Sequence, residues 1–211
     1  ADNVKIPPQP RGEKKSIDRI SKADIQSIIA HAAQPVLIKF AAFTGLRTGE
    51  QMALTWDDID FDLGLVRVTK AIKKDGSLGG PKTYRGSRSV ELVPDLAADL
   101  RAWKLAQPLS QRKRNLVFPA RNGNYMRAGA WRRQVLYPAC DAAGVERIRW
   151  HDLRHFFASI LLFDLAERDS VVAQLMGHHS AAFTADTYGH WMPEARRDLD
   201  LATRLGRALG S

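Results

Sequence analysis

Strand-like alternation is confined to one stretch of this chain, and that limits the fold more than any other feature. Val66 and Val68, then Ile72, then Val90 and Leu92 alternate with polar residues, the spacing of half-buried strands. A Gly-, Lys- and Pro-rich excursion separates the two groups, so the expected sheet is small, antiparallel and joined by a long basic connection. Helical spacing dominates elsewhere. Ser21-x-x-Asp24 reads as a capping box ahead of Ile25, Ile28, Ile29 and Ala32, which share one helical face. A second helix is expected after Pro35, through Leu37, Phe40 and Ala41, ending at Gly45. Further helices are expected over residues 48–54, 128–143, 151–165, 170–176 and 194–209, with others from Pro94 onward. The fold class is mixed α+β, mainly α-helical, with a small three-stranded antiparallel sheet.

The chain has 211 residues, enough for one good core and short for two full domains. Residues 1–16, rich in proline and charge, read as an extended linker or arm, leaving 17–211 as the folded domain. The single cysteine, Cys140, excludes an intrachain disulfide framework and fits a reducing compartment. The N-terminal residues lack the apolar run of a secretory signal. The longest apolar stretches, 35–43 and 156–165, are broken by Lys39 and Asp164 and are too short to span a bilayer. The expectation is a soluble, cytoplasmic, nucleoid-associated protein with no membrane partner.

Charge narrows the partner. Lys and Arg number 32 against 23 Asp and Glu, a net charge of +9. A polyanion such as nucleic acid fits this balance; so does a merely basic soluble protein. The distribution is one-sided. Val66 to Glu91 carries seven Lys/Arg against Asp75 and Glu91, and Arg101 to Arg133 carries nine with no acid. A groove lined this way follows phosphates without reading sequence.

Three short segments carry candidate chemistry. In Thr44-Gly45-Leu46-Arg47-Thr48-Gly49-Glu50, Arg47 sits at a tight turn before a helix, where a guanidinium can fork onto two phosphate oxygens. An arginine paired with Glu50 for structural reasons would look the same, and Glu50 is read as a partner for a nearby cation. In His151-Asp152-Leu153-Arg154-His155, a titratable imidazole and a permanent cation lie in one first turn, opposite a stripe of Leu153, Phe157, Ile160 and Leu161. A capped helix with a surface histidine is the alternative. In Gly177-His178-His179-Ser180, His178 precedes by ten positions the tyrosine of Thr187-Tyr188-Gly189-His190. Most tyrosines are packing residues; a nucleophilic one needs a base and cations around the phosphate it attacks.

Together, Thr-Gly-Leu-Arg, His-Asp-Leu-Arg-His, Gly-His and Tyr-Gly-His, in this order and with these gaps, resemble the tyrosine site-specific recombinases of the phage integrase family. The resemblance runs from about Ser21 to Met192 and implies that family's catalytic fold. The family also has a lysine in the turn of its small sheet. Pro81-Lys82-Thr83-Tyr84-Arg85-Gly86-Ser87-Arg88-Ser89-Val90 fits that place, which selects Lys82, with Lys73 and Lys74 as nearby competitors.

The resemblance implies a reaction. Tyr188 attacks the scissile phosphodiester to form a 3′-phosphotyrosyl link and release a 5′-hydroxyl. Arg47 and Arg154 hold the non-bridging oxygens, His178 adds a hydrogen bond, His151 takes the tyrosine proton, and Lys82 protonates the departing oxygen. No cofactor, metal or ATP is implied. A zinc site among His151, His155, His178, His179 and His190 lacks a Cys cluster or a His-Glu-x-x-His pattern. The family more often has a small residue where His179 stands, and no role is assigned to it. The implied partners are double-stranded DNA at recombination sites, copies of the chain in a tetrameric synapse, and accessory DNA-bending or directionality factors. The helix expected over 194–211 either packs on its own domain or docks on a neighbouring protomer. The family's preceding helical DNA-binding domain has no counterpart here, so the chain is expected to be a fragment with weak DNA affinity. Two other readings remain: a type IB topoisomerase-like nicking-closing enzyme, and a non-catalytic DNA-binding regulator.

Overall fold

The computed structural model of the protein describes residues 20–80 and 87–188. The expected arm over 1–16, the expected tail helix over 194–211 and Lys82 lie outside these residues.

Helix α1 (Lys22–Ala30) begins as its sequence predicts. The Ser21 hydroxyl receives the Asp24 backbone N–H at 3.0 Å, and the Asp24 carboxylate receives the Ser21 backbone N–H at 3.3 Å. Helix α2 (Pro35–Thr44) opens on a proline and closes at Gly45, whose φ of +59° is the left-handed conformation that ends the helix. A Cβ there would lie 2.3 Å from the Phe157 ring, so the turn also lets α2 meet the helix bearing Arg154. Helix α3 (Thr48–Ala53) follows immediately.

Strands β1 (Ile59–Asp60), β2 (Leu65–Val68) and β5 (Arg88–Glu91) form the three-stranded antiparallel sheet in the order β1-β2-β5. Val66 stands opposite Val90, and both are buried, as alternation on one face requires. Ile72 departs from the expectation that it continues this sheet. It belongs to a separate two-stranded ribbon, β3 (Ala71–Ile72) with β4 (Leu78–Gly79), because the chain leaves β2 after Val68.

Helix α4 (Pro94–Ala106) lays Leu96, Ala97 and Leu100 on the core. The helical run expected over 128–143 is interrupted: α5 (Ala128–Trp131) and α6 (Tyr137–Ala143) flank a π-helical turn, Arg132–Leu136. Pro138 has no N–H to give to the turn before it, which accounts for the wider winding. Helix α7 (Trp150–Ser159) likewise passes into a π turn, Ile160–Asp164, and α8 (Asp169–Met176) ends at Gly177. Helix α9 (Ala181–Tyr188) has no counterpart in the sequence expectations.

The main core gathers Ile25, Ile28, Leu37, Phe40, Leu100, Trp131, Leu136 and Leu153, among others, from α1, α2, α4 and the later helices. A second, smaller cluster joins Ala158, Leu161, Leu162, Phe163, Val172, Met176 and Tyr188. The seam between α2 and α7, closed by the end of α8, carries the candidate site. Among the described residues, no helix is long and apolar enough to cross a membrane.

Candidate active site

Two arginines reach the same turn from different elements. Arg154, on α7, donates to the Gly45 carbonyl at 2.5 Å and to the Met176 carbonyl at 2.6 Å, and it is only 3% exposed. Arg47, just before α3, donates to the next carbonyl, that of Gly177, at 2.6 Å. The C-terminal carbonyls of α8 are unsatisfied within the helix and carry its negative dipole end, so they attract both cations. Burial, then the charge of Arg47, pushes the Arg154 pKa down to about 9, which leaves it protonated at neutral pH.

A buried carboxylate holds this cluster together. Glu50 is 3% exposed and bonds Arg47 twice: its oxygens receive the Arg47 backbone N–H at 2.8 Å and a guanidinium N–H at 3.0 Å. Arg88, at the start of β5, forks onto the same carboxylate at 3.1 and 2.9 Å. Burial alone would raise the Glu50 carboxyl, but the hydrogen bond and charge of Arg88, then those of Arg47, hold it below its ordinary value. Gly177 closes the arrangement. Its φ is +64°, and a Cβ there would lie 2.9 Å from Arg88 Nη1 and 3.1 Å from Arg47 Nη1. A glycine is needed on both counts.

Helix α7 is fixed from both directions. Asp152 receives the Arg149 backbone N–H at 2.7 Å and a guanidinium N–H of the same residue at 2.7 Å. The Trp150 indole donates to Gln51 at 3.2 Å, and Gln51 donates to the Leu46 carbonyl at 2.7 Å, tying α7 to α3. His151 keeps an exposed edge; crowding around the rest of its ring, then the Arg154 charge, lowers its pKa.

His178 follows Gly177 and is 6% exposed. Its Nδ1 meets the Thr184 hydroxyl of α9 at 2.8 Å. Burial, then the charges of Arg154 and Arg47, brings its pKa down to about 3, so the ring is neutral. If Nδ1 accepts from Thr184, Nε2 carries the proton and is a donor for an anion.

Tyr188 ends α9 and is 2% exposed. Its ring lies nearly parallel to that of His178, with centroids 6.4 Å apart. The hydroxyl meets Nδ1 of His155, a motif residue to which sequence reasoning assigned no role in the reaction, at 3.0 Å. His155 in turn packs edge-on against His151 at 4.6 Å. Desolvation raises the Tyr188 phenol to about 12, against the charge of Arg154, and desolvation followed by the neighbouring His151 lowers His155 to about 4. Both groups are neutral at pH 7, and in this arrangement the proton stays on the phenol.

The structure therefore brings Arg47, Arg154, His178 and Tyr188 around one turn, with His151 reaching the tyrosine side through His155. Lys82 lies outside the described residues. Lys73, its competitor, is exposed on the β3–β4 ribbon, with its side chain against Gly79. His179 packs on Phe183, at 5.0 Å between ring centroids. Residues that sequence reasoning missed are Arg88, His155 and Thr184. The long basic run from Arg101 to Arg133 is partly used in packing: Arg101 and Lys104 cover Phe61 and Trp56, and Arg114 covers Tyr125. Among the described residues, no three His, Cys, Asp or Glu side chains converge as a metal site.

Comparison with known proteins follows the same lines. The family model described as the phage integrase family matches residues 13–194. The prophage integrase IntR of Escherichia coli (strain K12) is 29% identical over 199 residues, covering 84% of this chain and 48% of that protein. The tyrosine recombinase XerD of Vibrio cholerae serotype O1 (strain ATCC 39315 / El Tor Inaba N16961) is 30% identical over 159 residues, covering 74% and 48%. The chain thus spans about half the length of the curated relatives it matches. Among solved structures, the Tn1549 transposon integrase with a circular intermediate DNA superposes with a TM-score of 0.74 at 18% identity, covering 93% of this chain and 68% of that one. The catalytic domain of bacteriophage HP1 integrase gives 0.57 at 20% identity, covering 88% and 92%. These likenesses show that the fold is the catalytic fold of the tyrosine recombinases. With the family's model matched over most of its length, this chain belongs to the phage integrase family.

Proposed function

We propose that the chain is the catalytic domain of a site-specific DNA recombinase that cleaves and rejoins strands through a 3′-phosphotyrosyl intermediate. One observation carries the reading: Arg154 and Arg47 bond the consecutive carbonyls of Met176 and Gly177, directly before His178, and the His178 ring lies against that of Tyr188. Arg47 and Arg88 bond the one carboxylate, Glu50, while Arg154 bonds backbone carbonyls of the same turn, which leaves an excess of positive charge suited to a phosphodiester gaining charge as it becomes five-coordinate.

In the proposed step, the Tyr188 oxygen bonds to phosphorus as the bond from phosphorus to the 5′-oxygen breaks. The phenol proton passes to Nδ1 of His155, which the hydroxyl already meets, as His155 gives the proton on its Nε2 to His151, the final base. Arg47, Arg154 and the Nε2 proton of His178 stabilise the non-bridging oxygens, and Lys82 delivers a proton to the departing 5′-oxygen. The phosphotyrosine keeps the bond energy, so another 5′-hydroxyl reverses the step without ATP. The partner is double-stranded DNA: the net charge of +9 supports it, and related integrases and recombinases have been solved with DNA. A tetrameric synapse and accessory factors complete the proposal, with residues 1–16 as a linker to further DNA-binding segments and the protein at the nucleoid.

The names of the relatives are those of integrases and recombinases, and no observation favours a topoisomerase-like enzyme or a silent regulator. Strand exchange between two DNAs carrying the element's attachment sites, in the presence of EDTA, tests the reading. Exchanged products are expected from the full-length protein. Relaxation of supercoiled DNA without exchange would support the topoisomerase reading instead.

A further inference from the structure

Beneath the proposed phosphate site, three charged groups differ sharply in exposure. The side chain of Arg47 is 42% exposed, whereas those of Arg88 and Glu50 are 4% and 3% exposed. Arg88 is committed inside the protein: its Nε donates to the Leu175 carbonyl at 2.6 Å, and its two terminal nitrogens donate to the two oxygens of Glu50. A carboxylate so buried would otherwise draw on Arg47 alone, since a charge removed from water needs a partner. It would then compete with an incoming anion for the same guanidinium. Because Arg88 occupies both carboxylate oxygens, Arg47 gives Glu50 one side-chain nitrogen and keeps an outer edge open to solvent.

We propose that Arg88 is a positioning residue for the reaction: by pairing with both oxygens of Glu50 it neutralises that carboxylate and leaves Arg47 available to the scissile phosphate. Arg88 itself does not touch the phosphate. The inference rests on the reading of Arg47 as a phosphate ligand. It also gives the Gly177 turn a second purpose, since both guanidiniums pass where a side chain would stand.

Sulfate is a suitable probe, because its charge is constant over the working pH range. Its binding to the whole chain is followed through the Arg47 Nε–H signal in nitrogen-15 spectra, assigned with Arg47→Ala. Arg88→Met is expected to weaken sulfate binding by about tenfold or more near neutral pH. Affinity should return in part as the pH falls, because burial favours a protonated Glu50 once Arg88 no longer holds its carboxyl down, and a neutral Glu50 releases Arg47. Any uptake of protons by the nearby histidines occurs in the parent chain as well, so recovery is read as the difference between the two proteins. Arg88→Lys, which keeps a cation but loses the fork, should lie between the two. The double variant Glu50→Gln/Arg88→Met should bind sulfate within about threefold of the parent. That rescue separates the proposal from a merely structural role, which would make the two changes additive. Parent-like affinity in folded Arg88→Met or Arg88→Lys overturns the proposal, as does a double variant no better than Arg88→Met. If Arg88→Met does not fold, Arg88→Lys and the double variant decide by the same criteria. If the parent's Arg47 signal ignores sulfate, it is the phosphate reading of Arg47 that fails.

Discussion

The arginine side and the tyrosine side of the site are held in different ways. On the arginine side, cations from α7, α3 and β5 are bound to backbone carbonyls of α2 and α8 and to a buried carboxylate. Apart from the local Arg47–Glu50 pair, these contacts join elements distant in sequence, so the positions of the guanidiniums are set by the same packing that sets the fold. On the tyrosine side, Tyr188 ends a short helix, packs on the smaller apolar cluster, and meets a neutral histidine through its hydroxyl. Burial keeps its proton in place. On the proposed reading the cations are preorganised for a developing charge, as electrostatic catalysis requires, whereas Tyr188 keeps its proton in this arrangement.

The contrast breaks most readily at Arg154. Its replacement by Ala removes donors from two buried carbonyls and leaves a cavity, so stability should fall by about 2–5 kcal/mol in denaturant unfolding. Arg47→Ala, at a half-exposed position, should cost about 1 kcal/mol while weakening anion binding by at least about tenfold. Equal destabilisation by both changes would erase the distinction between frame and ligand. Gly177→Ala forces a Cβ against both guanidiniums at a positive φ; a loss of about 1–3 kcal/mol, with reduced anion affinity, is expected.

Acid sharpens the comparison on the histidine side. His155 and His178 have folded pKa values of about 4 and about 3, below the ordinary value of 6.5. The unfolded chain therefore takes up their protons first, and the stability these neutral rings contribute is present above about pH 6.5 and is lost as pH falls below it. Melting temperatures recorded from pH 7 downward should decline, and His155→Gln or His178→Gln should decline less steeply. The smallest effect is spectroscopic. The ultraviolet titration of the parent chain minus that of Tyr188→Phe should contain a step near 12. In a His155→Ala background, with water admitted to the phenol, that step should move toward 10. A step that stays near 12 would show that His155 does not shield the hydroxyl.

How much of this was legible in the sequence follows the reach of each signal. Ser21 with Asp24, Pro35 with Gly45, and the Val66–Val90 alternation are local patterns, and each placed its element correctly. Helix α9 left little trace, because its buried residues are Thr184 and Tyr188, one of them polar. The π turns were hidden for a related reason: helical spacing continues through them, and only Pro138 hinted at the first. Arg47, Arg154, His178 and Tyr188 stood out because they form a recognisable set with fixed gaps. Arg88 and His155 did not, although both were in view. Arg88 sat in a basic run read only for its collective charge, and its partner Glu50 is 38 positions away. His155 meets a hydroxyl 33 positions on. Such pairings are created by the fold and have no periodic or spacing signature.

The most direct measurement is the covalent intermediate itself. A nicked suicide substrate carrying the recombination site, incubated with the full-length protein, should yield a protein–DNA adduct whose nucleotide remnant maps to Tyr188. Tyr188→Phe, which removes only the hydroxyl, should yield none. An adduct that persists in that variant, or that maps to another residue, would contradict the account.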